Sequence, residues 1–163
     1  MADLNNLLTP LFLNEKEIRK IIELMFFSYR DFTSGPDKVL EKMNFGRAHH
    51  RVIYFVGKQN NLTIKELLSI LKITKQSLSR VLNQLVMEKY VILSIGEDKR
   101  TKKLSLSKKG IDLERELSDI QINNIYNVIK KFNEPDINGF KKILFSMIQE
   151  KNQNIFNEIN YKK

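Results

Sequence analysis

Lys75, Gln76, Ser79, Arg80 and Asn83 bring ammonium, amide, hydroxyl and guanidinium groups together in one short stretch with no acidic residue among them. Such groups donate hydrogen bonds to base edges and phosphates. A Gln or Asn amide suits adenine, and Arg suits guanine or a phosphate. To act together they must project from one face of a rod narrow enough for the major groove of double-stranded DNA. The intervening apolar residues supply that rod: Leu78, Val81, Leu82, Leu85 and Val86 mark the other face of a helix predicted from Thr74 to Lys89.

A shorter helix precedes it. Thr63 with Glu66 three residues later makes a capping-box start, and Ile64, Leu67, Leu68 and Leu71 face inward over Thr63 to Leu71. Two helices joined by a short turn form a helix-turn-helix. Beyond them, Tyr90 to Ile95 is rich in β-branched and aromatic residues, and Lys103 to Leu106 alternates polar with apolar. Between the two lies Gly96-Glu97-Asp98-Lys99-Arg100-Thr101-Lys102. A hairpin with a charged tip, placed directly after a recognition helix, is a wing that can follow the DNA backbone or enter the minor groove.

The net charge of +9 gains meaning from where it lies. Between Thr63 and Gly110 eleven Lys and Arg stand against four Asp and Glu, so most of the excess falls in under a third of the 163 residues. That concentration points to a polyanionic partner. The absence of Cys removes disulfides, thiolate metal sites and thiol chemistry. Gly35, Gly46, Gly57, Gly96, Gly110 and Gly139 are scattered and form no phosphate loop, and neither G-x-S-x-G nor H-E-x-x-H occurs, so an enzyme is not expected. No apolar run approaches membrane-spanning length. The N-terminus, MADLNNLLTPLFLNEKE, has no basic region before its apolar part, so a soluble, cytoplasmic protein is expected.

The order of these elements, the Asp98-x-Arg100 pair in the wing and the LSLSKKG that follows resemble the MarR family of bacterial transcriptional regulators, over about residues 14–160. The resemblance implies a mainly α fold with a small β-wing, built as one unit over residues 1–163. Within it, residues 45–110 would form a winged helix-turn-helix DNA-binding lobe, and 14–32 and 111–161 would supply dimerisation helices. It also implies that Thr74, Lys75, Gln76, Ser77, Ser79, Arg80 and Asn83 contact the major groove or its phosphates. Arg100 would reach the minor groove, with Lys99, Lys102 and Lys103 as phosphate neighbours. Asp98 would hold the wing in shape by pairing with Arg100 or accepting backbone amides.

Helical spacing and turn signals predict the other elements. Asn14 with Glu17 caps a first helix from Glu15 to about Asp31, where Ile18, Ile21, Ile22, Met25, Phe26 and Tyr29 form a broad apolar stripe. Thr33-Ser34-Gly35-Pro36-Asp37 reads as a turn, followed by a short helical turn ending near Asn44. The next helix spans roughly Gly46 to Gln59. Its neighbouring His49 and His50 point about 100° apart and are read as structural or interface residues, so neither a metal nor another cofactor is expected. In the family this segment lies where the DNA-binding lobe meets the dimerisation helices, which implies polar networks around Arg47, His49, His50 and Arg51.

Ser107 opens a long helix reaching about Asn133. Pro135 ends it and begins another, carrying Ile137, Phe140, Ile143, Leu144, Met147, Ile148, Ile155, Phe156 and Ile159. Both are too apolar to stand alone and too large to pack on the small winged core. A second copy of the chain is the expected cover, with an ordinary intramolecular bundle as the alternative. A two-fold dimer would set its recognition helices about 34 Å apart, matching successive major grooves of a pseudo-palindromic site. The expected function is therefore a homodimeric, sequence-specific transcriptional regulator, a repressor, with wing residues 96–103 in the minor groove. MarR proteins often couple DNA binding to a small aromatic effector at the junction, and Phe26, Tyr29, Phe45, His49 and Tyr54 are the candidate lining here. The alternative is a winged-helix module that binds protein, or DNA without sequence preference.

Overall fold

The structure is a computed structural model that describes residues 14–96 and 101–161. It is mainly helical with one small antiparallel sheet. Helix α1 (Glu15–Glu41) starts at Asn14, whose side chain accepts the Glu17 N–H at 3.0 Å. It does not stop at Asp31. The expected turn at residues 33–37 is helical, and the helix continues through Pro36. Pro36 offers no N–H to the carbonyl of Phe32, but the local breakers are absorbed. The Thr33 hydroxyl donates to the Tyr29 and Arg30 carbonyls, and Ser34 to Asp31. Thr33, Pro36 and Leu40 are buried. Gly35 lets a later helix come close, since a Cβ there would lie 2.6 Å from Ile120 Cγ2. Asn44, with φ 56°, then turns the chain in the left-handed region.

Helix α2 (Arg47–Lys58) buries Val52, Ile53 and Val56. Strand β1 (Leu62–Thr63) leads into α3 (Ile64–Leu71), which carries the expected capping box: the Glu66 N–H donates to Thr63 Oγ1 at 3.2 Å and the Thr63 N–H to Glu66 Oε2 at 2.8 Å. Lys72, with φ 51°, makes the turn into α4 (Lys75–Met87), capped by Thr74. The wing is β2 (Val91–Ile95) against β3 (Lys102–Leu106), with Leu93 opposite Leu104. On its other edge β3 pairs with β1, giving the order β1-β3-β2. This third strand is too short to show a period in sequence, and it ties the entry of the helix-turn-helix to the wing. Lys102, expected in the turn, is the first residue of β3.

Helix α5 (Lys108–Ile129) is capped by Ser107, which accepts the Gly110 N–H at 3.0 Å and donates to the Lys89 carbonyl at 2.6 Å. It packs along α1 and α2. The single helix expected beyond Pro135 is two, α6 (Glu134–Met147) and α7 (Glu150–Tyr161), separated where Ile148 becomes extended with ψ 125°. Gln153 Nε2 donates to the Ile148 carbonyl at 3.0 Å across the bend, and Lys58 Nζ reaches Asn160 Oδ1 at 2.6 Å, bringing α7 back towards α2.

The buried apolar core runs from Leu40 and Phe45 through Val52, Ile53, Leu67, Leu78, Leu85 and Leu104 to Leu113 and Leu117. Neither α6 nor α7 buries a residue. Large apolar side chains stay exposed on α1 (Ile21, Ile22, Met25, Phe26), α5 (Ile122, Ile125, Tyr126) and α6 (Phe140, Ile143, Leu144, Met147).

Candidate nucleic-acid interface and the cleft behind it

Burial of Leu78, Val81, Leu82 and Leu85 fixes which side of α4 faces solvent. Thr74, Lys75, Gln76, Ser77, Ser79, Arg80 and Asn83 all lie on the exposed side. Two of them already have work within the helix: Thr74 Oγ1 accepts the Ser77 N–H at 3.1 Å and donates to Ser77 Oγ at 2.8 Å. The side chains of Lys75, Gln76, Ser79, Arg80 and Asn83 make no hydrogen bond or ion pair with any other described residue. The first turn of α4 carries no acid, so the positive end of its dipole is uncompensated. An open row of donors at the positive end of a helix is suited to a polyanion.

The wing stands beside this face. Lys102 is exposed opposite Ile95, and the half-buried Lys103 lies between Ser94 and Thr63. The Gly96 N–H donates to the Thr101 carbonyl at 2.8 Å, continuing the ladder past the last strand pair. Asp98, Lys99 and Arg100 lie outside the described residues.

Behind the lobe, α1, α2 and α5 enclose a cleft of about 660 Å³. Two of the five residues expected to line a ligand site are there, Tyr29 and Tyr54; the other three are not. Phe26 points elsewhere and is 72% exposed. Phe45 is buried in the core, and His49 stacks on it with ring centroids 4.7 Å apart. The walls also include Phe32, Arg47, His50, Arg51, Ile125 and Tyr126. A signal for part of this set was present in sequence, because Arg47, His50, Arg51 and Tyr54 recur at helical spacing on one face of α2.

The cleft has one polar side. Arg47 donates through Nε and Nη2 to Asp37 Oδ2 at 2.9 and 2.8 Å, and Arg51 Nη2 donates to the Tyr29 hydroxyl at 2.9 Å, so both arginines of α2 are tied to α1. Burial pushes the His50 imidazole below its ordinary value, against the opposite pull of the Asp37 and Glu114 carboxylates. Among the described residues no helix is long and apolar enough to cross a membrane.

A sequence profile described as MarR family matches residues 44–101, which hold the helix-turn-helix and the first strand of the wing and end just before β3. The HTH-type transcriptional regulator PetP of Rhodobacter capsulatus is 43% identical over 141 residues, covering 86% of this chain and 85% of the relative. The chain belongs to the MarR family. Solved structures agree on the MarR fold: FabT of Streptococcus pneumoniae, in complex with DNA, superposes with a TM-score of 0.71 at 19% identity over 82% of this chain and 94% of that one. A MarR-family regulator of Listeria monocytogenes, complexed with a 26mer DNA, gives 0.70 at 17% identity over 87% and 95%. The protein is thus a MarR-family transcriptional regulator, a family whose members are not enzymes.

Proposed function

We propose that this MarR-family regulator acts as a homodimer that reads a pseudo-palindromic DNA operator, with α4 of each copy in the major groove and each wing in the minor groove. The observation that carries the reading is the face of α4, where five donor side chains stand unengaged beside Lys102 and Lys103. Gln76 and Asn83 are assigned to adenine edges, Arg80 to guanine or a phosphate, and Lys75 and Ser79 to the backbone; Thr74 and Ser77 serve the helix start and can still meet a phosphate. Arg100 is assigned to the minor groove, with Lys99, Lys102 and Lys103 beside phosphates and Asp98 shaping the tip. The uncovered apolar faces of α1, α5 and α6 support a second copy as their cover. Repression follows wherever such an operator overlaps a promoter, in the cytoplasm.

The cleft supports control by a small molecule. Its apolar walls and its arginine and histidine side fit an apolar ring that carries an acidic or phenolic group. An effector there alters DNA binding only by favouring one spacing of the two α4 helices over another.

Selection of bound duplexes from a random pool, followed by titration of the best site against a scrambled duplex at two salt concentrations, tests the reading. A pseudo-palindrome with half-sites about one helical turn apart and a specificity ratio of about 10³ or more is the expected result. Equal binding to both duplexes with the same steep salt slope overturns it and leaves a non-specific or protein-binding winged helix.

A further inference from the structure

His49 does not face the cleft, and its ring is held by a different set of partners. Gly46, which precedes α2, has no side chain to cap the helix; instead its N–H donates to His49 Nδ1 at 3.1 Å. A ring nitrogen that accepts carries no proton, so in this arrangement the ring hydrogen sits on Nε2. Nε2 donates it to Gln84 Oε1 on α4, 2.9 Å from the ring nitrogen. Gln84 Nε2 is then free to donate to Glu88 Oε1 at 3.1 Å. Each donor along this line meets an acceptor, in one direction only. The plane of the ring is fixed as well, since it stacks on Phe45 at 7° and Phe45 meets Tyr90 edge-on just past the end of α4.

Gln84 stands one helical turn after Arg80 and next to Asn83. A side-chain tip about 6 Å from a helix axis moves about 1 Å when the helix rolls by about 10°. Such a shift is enough to break a hydrogen bond to a base edge. Apolar burial holds α4 against the core but is not directional, whereas the bond from His49 fixes an angle about the helix axis. We propose that His49 is a positioning residue for DNA reading: through Gln84 it sets the rotation of the recognition helix relative to α2. The proposal rests on the DNA-binding function above and names how that site is held in register.

Two substitutions cut the line on either side. His49→Phe keeps the stack on Phe45 and removes both ring hydrogen bonds, while Gln84→Met leaves the Gly46 cap on His49 intact. Each variant, and the double variant, is titrated with the selected operator and with a scrambled duplex. The expected result is a loss of about tenfold in the specificity ratio for each single variant, unchanged affinity and salt slope on the scrambled duplex, and no further loss in the double variant. The proposal is overturned if Gln84→Met keeps the wild-type ratio, if both duplexes weaken in proportion, or if the two losses multiply. Failure of the DNA-reading function itself is seen separately, as a wild-type protein that does not distinguish the duplexes; the proposal then falls with it.

Discussion

Arg80 projects from α4 with no carboxylate partner among the described residues, so its guanidinium is free to make a two-pronged contact. Arg80→Ala is expected to weaken binding to the best site by about 1–3 kcal/mol and to relax preference at one base pair if the contact is to guanine. If the contact is to a phosphate, the loss is uniform across sequences and the salt slope falls by about one. Anisotropy titrations on a panel of single-base variants separate the two outcomes. His50 gives the residue-level pH dependence. Its folded value lies below the ordinary 6.5, with desolvation as the main cause and the nearby Arg51 charge acting the same way. The unfolded chain therefore takes up a proton first as the pH falls. The stability this group secures is fully present above about pH 6.5 and is lost as the pH drops through the folded value. Thermal melts between about pH 7 and about pH 5 should show a falling Tm that His50→Gln flattens; parallel curves for the two proteins would contradict the assignment.

Among the elements, the joint between α4, the wing and α5 leaves no room for a side chain at Gly110. A Cβ on Gly110 would lie 2.1 Å from the Tyr90 carbonyl oxygen, a backbone atom that also accepts the Ser107 N–H at 3.0 Å. Gly110→Ala is expected to destabilise the fold at or above the upper end of the usual overpacking range, about 3 kcal/mol, measured by urea unfolding; a change within about 0.5 kcal/mol would mean the joint can slide. The starts of α1, α3, α4 and α5 were legible in sequence because the bond between Asn14, Thr63, Thr74 or Ser107 and the backbone spans three residues. The length of α1 was not, because its middle is packed by residues far along the chain, with Ile120 of α5 close against Gly35. The bend at Ile148 has neither Gly nor Pro to announce it. At the cleft, helical spacing displays Arg47, His50, Arg51 and Tyr54 on one face of α2, but nothing local says that α5 covers that face and not the one bearing His49.

For the whole molecule, the exposed apolar side chains of α1, α5 and α6 define the assembly question. Ile143→Glu with Met147→Glu places two charges one helical turn apart on α6, where both native side chains are exposed, so the lone chain has little to lose. Sedimentation equilibrium should find the wild type at twice the chain mass and the variant at the chain mass, with affinity for the full operator reduced to that for a half-site. A variant that stays at twice the mass would place the contact elsewhere. Helix α6 carries a further consequence. A helix of 14 residues with none fully buried is marginal on its own in water, so a cover would add to its order. If a second copy is the cover, as proposed above, a freshly made chain at low copy number would offer this segment to proteases until it meets another, and the rate of cutting there should fall as the protein is concentrated. Survival of the regulator in the cell would then rise more steeply than its rate of synthesis, a threshold set by one uncovered helix.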